Sequence, residues 1–189
     1  MTNANDSSDR ELYHGFLKGD KKAYDQLMIR HGDSLTLYLY GCIHDWQDAE
    51  DLMIEAFARI MVRRPHIRED SFKAYLFKTG RNLAMRYHTV KKRIKQFSLD
   101  EYGTDIAGNE LVEKQLEDKE RKKILHLCLE RIDPQLREAL WLVYFEGMSY
   151  AEAAAVMRVN LKRIDHLLTR GKRDIRSELE KEGITNAYE

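Results

Sequence analysis

The chain has 189 residues, of which 34% are charged and 43% hydrophobic, with 32 basic and 32 acidic side chains. That balance excludes a disordered chain. No apolar run approaches the roughly 20 residues that span a bilayer, so no membrane insertion is expected. Cys42 and Cys128 are too few and too far apart for a disulfide framework, and the N-terminus lacks the basic and then apolar segments of a secretory signal. A reducing cytoplasm is the expected compartment.

With only Pro65 and Pro134 as proline breakers, helices are favoured. A short helix is predicted around Arg10 to Leu17, ended by Gly19. Asp20 is placed to cap the helix KKAYDQLMIRHGDSLTLYLYGCIH, which is expected to bend at Gly32. Asp45 is placed to cap WQDAEDLMIEAFARIMVRR, which stops before Pro65. Its buried stripe reads Ala49, Leu52, Met53, Ala56, Phe57, Ile60 and Met61, with Asp48, Asp51, Glu55 and Arg59 opposite and the apolar Ile54 and Val62 at the border. Asp70 or Ser71 is placed to cap FKAYLFKTGRNLAMRYHTVKKR, whose inward side reads Phe72, Leu76, Leu83, Tyr87 and Val90. These pieces make one helical unit over residues 8–93.

Residues 94–111 lose periodicity and collect Gly, Asp and Asn, the composition of an acidic, flexible linker. Helical signals resume over residues 112–182 as a second unit. Asp133-Pro134 is a helix start, Gly147 a stop, and Ser149 with Glu152 a capping box. In the helix after Ser149, Ala151, Ala154, Ala155 and Met157 are small or slim enough for a close crossing. After the break Arg158-Val159-Asn160 comes a last helix capped by Asn160, with Leu161, Ile164, Leu167, Leu168 and Ile175 inward. No segment alternates with a period of two, so the fold class is all-α, with two small helical domains.

The neutral total hides segregation. Arg81, Arg86, Lys91, Lys92, Arg93 and Lys95 fall in a stretch without acids, the next stretch is acidic, and Arg158 to Arg176 is basic again. Two basic blocks in two helical units point to two anionic surfaces. The second block lies on the second of two short helices joined by a tight turn, the pattern of a helix-turn-helix motif, where early residues of the second helix reach base edges. A helical hairpin with a charged face is the other reading of that stretch. Tyr75 and Phe77 between cations suit stacking on unpaired bases, and as single rings each reads better as core. His14, His31, His44, His66, His88, His126 and His166 are scattered, and neither Cys-His proximity has a second half at zinc-site spacing. No phosphate loop or nucleophile elbow occurs, so no enzyme, metal or cofactor is expected.

The order of these features resembles the bacterial RNA polymerase sigma factors of the extracytoplasmic-function (ECF) group. LKGDKKAYDQLMIRH is similar to the start of that group's second conserved region, and DAEDLMIEAFARIM to its polymerase-docking helix. SFKAYLFKTGRNLAMRYHTVKKR resembles its promoter-melting, −10-reading helix. IDPQLREALWLVYFEGMSYAEAAAVM with RVNLKRIDHLLTRGKRDIR resembles its −35-reading fourth region. The resemblance implies that Asp48, Asp51, Ile54 and Glu55 bind polymerase at the β′ clamp helices, with the β flap a further contact. It implies that His66 and Arg68, in the loop from Pro65 to Ser71, and Lys73, Lys78, Arg81, Asn82 and Arg86 meet the −10 DNA. It implies that Ser149, Asn160, Lys162, Arg163, His166, Arg170, Lys172 and Arg173 meet the −35 DNA. The group usually has Trp at Tyr75, Gln at Ile54, Thr at Arg163 and a base at Asp165. Implied partners are core RNA polymerase, promoter DNA and an anti-sigma factor. The alternative is a stand-alone helix-turn-helix regulator whose N-terminal helices sense a ligand or dimerise.

Overall fold

The computed structural model describes residues 7–68, 71–97 and 121–184, and among these it is helical, without strands. The chain divides into two compact units, Met1–Asp105 and Ile106–Glu189.

In the first unit, α1 (Asp9–Leu17) begins at a complete capping box between Ser8 and Glu11 and buries Leu12, Tyr13 and Phe16. Gly19, at φ +105°, turns the chain into α2 (Lys21–Ile43), where the Asp20 carboxylate accepts from the Lys22 and Ala23 amides. The expected bend at Gly32 carries no break in the helix. Gly32 is buried against Met53, and that packing outweighs the ~1 kcal/mol helix penalty of glycine. Asp45 caps α3 (Trp46–Arg63), accepting from the Asp48 amide. α4 (Phe72–Phe97) runs four residues past the expected end at Arg93. Asp70, one of its two proposed caps, and residues 98–111 of the predicted linker lie outside the described residues.

The core of this unit gathers Leu27, Leu35, Leu39, Phe57, Ile60, Phe72, Leu76 and Phe77, each almost wholly buried. Tyr13 packs on Phe72 at 5.3 Å and Tyr38 on Phe77 at 5.2 Å, the centroid separations of favourable aromatic pairs. Gly80 lets α4 cross α2 closely, since a Cβ there would stand 3.0 Å from a Leu35 methyl. Phe77 is therefore core, and the stacking reading of that ring does not stand; Tyr75 remains half-buried. Two members of the predicted stripes are corrected as well. Met61 is 46% exposed near the end of α3, and Val90, 55% exposed, borders an open groove between α3 and α4.

In the second unit, α5 (Arg121–Arg131) precedes α6 (Pro134–Leu140), which Asp133 caps with Pro134 in the first turn. The helix does not stay α-helical to Glu146, as its periodicity predicts. Residues Trp141–Phe145 form a π turn, in which the Glu146 amide donates to the Trp141 carbonyl at 3.0 Å. Trp141 stacks on Phe145 at 4.8 Å and donates its indole N–H to Glu146. Leu142 is buried there while Tyr144 and Phe145 are half exposed.

Gly147, at φ +65°, leads into the Ser149–Glu152 capping box of α7 (Tyr150–Met157). Arg158 takes the left-handed conformation at φ 56°, and Asn160 caps α8 (Leu161–Lys181). The inner face of α7 is Ala153, Ala154, Val156 and Met157, whereas Ala151 and Ala155 face outward. Leu161 is 56% exposed rather than buried, because it opens α8 ahead of the turns that meet the core. Ile164, Leu167 and Leu168 are buried as predicted, and Ile175 is half-buried.

Candidate nucleic-acid interface and protein-docking face

On α3, Asp51, Ile54 and Glu55 fall on one outward stripe by three- and four-residue spacing, continued by Val62 at 78% exposure. Asp51 and Ile54 are exposed. Glu55 accepts from the Arg59 guanidinium at 3.0 Å. The stripe is acidic with an apolar centre, a composition suited to a partner that is basic with an apolar patch. Asp48 sits differently. It is half-buried, and its carboxylate accepts a short hydrogen bond from the Tyr87 hydroxyl of α4. Lys91 donates to that same hydroxyl and stands 3.8 Å from the carboxylate. Burial, reinforced by the bond to Asp48, holds the Tyr87 hydroxyl above its ordinary pKa, so it stays a donor. The Tyr87 bond in turn raises the Lys91 ammonium.

The loop between α3 and α4 is anchored where the Tyr13 hydroxyl donates to the Pro65 carbonyl at 2.7 Å. His66 and Arg68 are exposed on it. At about 100° per residue, Tyr75, Lys78, Asn82 and Arg86 share one face of α4, with Arg81 on its flank. Lys73 does not join them. It lies about 140° round the helix from Lys78 on the same arithmetic, with its ammonium 5.7 Å from the Phe77 ring.

On α8, Lys162, Arg163, His166, Arg170 and Arg173 are exposed and fall within about 100° of one another, opposite buried Ile164, Leu167, Leu168 and Gly171. Lys172 is off that face, with its ammonium 5.0 Å from the Tyr144 ring. Ser149 and Asn160 serve as caps: the Ser149 hydroxyl accepts from the Glu152 amide at 3.3 Å, and Asn160 accepts from the Arg163 amide at 2.8 Å. Their contribution to the face is to fix where α7 and α8 begin. Arg163 donates across to the Gln135 side chain on α6 at 3.0 Å.

Gln135, Tyr87, His88 and Lys91 are the residues of these faces that sequence reasoning left out. Their contacts join positions 28 to 46 residues apart, except the one-turn Tyr87–Lys91 contact, and no local pattern signals the long-range ones. Among the described residues no cluster of three or more His, Cys, Asp or Glu is arranged for a metal ion, and no helix is long and apolar enough to cross a membrane. Neither Cys42 nor Cys128 is bonded in a disulfide.

Two family models match the chain: Sigma-70 region 2 over residues 27–94 and Sigma-70, region 4 over residues 122–175. The chain is similar to the RNA polymerase sigma-H factor of Pseudomonas aeruginosa, at 26% identity over 79% of this chain and 82% of that protein. It is similar also to the ECF RNA polymerase sigma factor SigE of Mycolicibacterium smegmatis, at 28% identity over 89% of this chain and 67% of that one. Among solved structures, the sigma factor RpoE of Bartonella quintana, in complex with the anti-sigma factor NepR, gives a TM-score of 0.69 at 19% identity, covering 84% of this chain and 98% of the other. CnrH in complex with the cytosolic domain of CnrY gives 0.65 at 23% identity, covering 93% and 99%. At these identities the structural likeness speaks for the fold.

Proposed function

We propose a division of labour from one premise: the chain belongs to the sigma-70 family, as an RNA polymerase sigma factor of the extracytoplasmic-function group. Such a chain binds core RNA polymerase and directs promoter-specific transcription initiation. The single observation that carries this is the order of the two region matches, region 2 within the first unit and region 4 within the second. A stand-alone regulator needs no region 2, so the alternative is not favoured.

In our reading, residues 8–93 dock polymerase and handle the −10 element, and residues 112–182 read the −35 element. Asp51, Ile54 and Glu55 are the face for the β′ clamp helices, supported by the acidic-apolar stripe they form. His66, Arg68, Lys78, Arg81, Asn82 and Arg86 hold the opened −10 strand, supported by the exposure of His66, Arg68 and Arg86 and by the half-buried Lys78, Arg81 and Asn82 lying along one side of α4. Lys162, Arg163, His166, Arg170 and Arg173 enter the −35 major groove, with Arg163 the best placed for bidentate contact with guanine. The exposed Tyr144 and Phe145 suit the β flap, since aromatic side chains dominate protein interfaces. A cytoplasmic location follows from that work. The polymerase supplies the chemistry, and the chain itself is no enzyme. The RpoE relative is solved with an anti-sigma factor, and we propose a partner of that kind here too.

The test is a pull-down with core polymerase followed by transcription in vitro from the promoter of the protein's own gene. The purified chain is expected to bind core tightly, to bind free promoter DNA weakly, and to give sigma-free core a defined start site. Tight binding to a two-fold duplex site without polymerase, and no start-site selection, would reverse the reading in favour of the stand-alone regulator.

A further inference from the structure

Residues 85–91, in the second half of α4, are held to their unit by polar ties rather than by a core. Met85 is 56% and Val90 55% exposed, Arg86, His88, Thr89 and Lys91 are exposed, and Tyr87 is half-buried. Between this half and α3 lies an open groove of about 570 Å³, floored by Leu52 and Leu83, where a packed interface would otherwise stand. The ties span that gap. Lys91 donates to the Tyr87 hydroxyl, which donates to Asp48 on α3, and the Lys91 ammonium also lies 4.8 Å from the Tyr87 ring. On the other side, His88 Nε2 donates to the Cys42 carbonyl, in the last turn of α2, at 3.0 Å. Serial hydrogen bonds polarise one another, so the Lys91–Tyr87–Asp48 chain acts as a unit.

We propose that Asp48 and Tyr87 are positioning residues: they set the second half of α4 against α3, and through it the presentation of Asn82 and Arg86 to the opened strand. The inference rests on the sigma-factor reading and deepens it, assigning Asp48 an inward role beside the outward stripe of Asp51, Ile54 and Glu55. Burial alone cannot supply this positioning, because the side chains of this half that line the groove are Arg86, Tyr87, Val90 and Lys91, of which Tyr87 is half-buried and the others exposed. With the ties gone, α4 would keep its fold through Phe72, Leu76, Phe77 and Leu83 and lose its fixed direction beyond them.

The experiment compares full-length Tyr87→Phe, Asp48→Ala and Asp48→Asn with wild type by three measurements. These are amide hydrogen exchange over residues 85–91 in the free protein, affinity for core polymerase, and permanganate reactivity of melted −10 thymines with core present. Tyr87→Phe removes one hydroxyl from a half-exposed ring and leaves the fold intact. Tyr87→Phe and Asp48→Ala are expected to raise exchange about fivefold, the effect of one net hydrogen bond. They are expected to lower melting severalfold while core affinity stays within about twofold, since the docking stripe is untouched. Asp48→Asn keeps an acceptor for the Tyr87 hydroxyl and is expected to rescue both readouts. Unchanged exchange in Tyr87→Phe overturns the proposal, as does raised exchange with wild-type melting. Equal loss of core affinity in Asp48→Asn and Asp48→Ala overturns it too, making Asp48 a direct polymerase contact. If the wild-type chain itself melts no promoter with core, the sigma-factor reading fails, an outcome distinct from these because the exchange arm needs no polymerase.

Discussion

The Arg163 guanidinium, at the start of α8, donates to the Gln135 side-chain oxygen at the start of α6, 3.0 Å away. Both residues are exposed, and the bond occupies one of the five N–H donors of the guanidinium. The rest stay available, and the long side chain is held to one side of the face. A pre-oriented guanidinium loses less rotamer freedom when it meets guanine O6 and N7. Replacing Arg163 with Ala is expected to cost about 1–3 kcal/mol at one base pair of the −35 element and to relax the preference there. Gln135→Ala is expected to relax the same position by a smaller amount. If Gln135 works through Arg163, adding Gln135→Ala to Arg163→Ala changes nothing further. Run-off transcription from a library randomised at the −35 element reads all three variants, and an unaltered preference in Arg163→Ala removes this residue from the reading set.

The outward stripe of α3 is tested by reversing its charge. Asp51 and Glu55 are surface residues, and the Glu55–Arg59 pair is a one-turn ion pair worth about 0.3–0.5 kcal/mol. Asp51→Arg with Glu55→Arg is therefore expected to leave the thermal midpoint within a few degrees of wild type. At a basic partner surface the same change sets like charges against each other, a cost of several kcal/mol that lowers core affinity by about 100-fold or more. Co-purification with core polymerase, beside a thermal melt of the free protein, separates docking from folding. Wild-type co-purification of the double variant would sink the docking assignment.

Which features could be read from the sequence follows from how local each one is. The caps at Asp20, Asp45, Asp133, Ser149 and Asn160 depend on residues two or three positions away, and the structure has each of them. The amphipathic stripes are legible in mid-helix, where Phe57, Leu76 and Leu167 are buried, and misleading near the ends and beside the open groove, where Met61, Leu161 and Val90 keep the period but are exposed. The cationic face of α8 follows from its spacing alone. The π turn at Trp141 does not, because helical periodicity cannot distinguish a five-residue hydrogen-bond step from a four-residue one over a single turn. The partners of Asp48 and Arg163 were equally hidden, being set by which helices cross.

Gly171 shows that crossing in the second unit. A Cβ on it would stand 3.1 Å from Leu140 Cγ and Cδ1 and 3.5 Å from the Leu136 carbonyl oxygen. Gly171→Ala has two opposed effects: a gain of about 0.8–1 kcal/mol in helix propensity, and a shift of Leu140 by a few tenths of an ångström at comparable cost. Stability within about 1 kcal/mol of wild type is expected. Gly171→Val adds two methyl groups and a β-branch against the same leucine, and overpacking of about 1–3 kcal/mol then dominates. Denaturant unfolding of the full chain reads the order wild type, Ala, Val. A Val variant as stable as the Ala variant would mean that α6 and α8 can part more easily than this contact allows.

Asp9 makes the first unit sensitive to acid. Its carboxylate, in the first turn of α1, lies 2.6 Å from the Nε2 of buried His31 and 2.7 Å from Arg30 on α2. Burial pushes the carboxyl up, and the hydrogen bonds and charges of His31 and Arg30 more than offset that, holding it below its ordinary value. A carboxyl that titrates lower in the folded than in the unfolded chain stabilises fully above its unfolded value, near 4, and loses that stabilisation as pH falls through the folded one. The thermal midpoint is thus expected to be flat with respect to Asp9 from pH 5 to 7 and to drop below about pH 4. Asp9→Asn is expected to cost about 1–2 kcal/mol at neutral pH, because the buried imidazole loses its charged partner, and to shrink the acid drop. Part of the drop should survive in that variant, since Glu11, in the Ser8 capping box, is also held low. Melting curves of both proteins between pH 3 and 7 decide it, and parallel acid profiles would show that Asp9 does not couple α1 to α2 in this way.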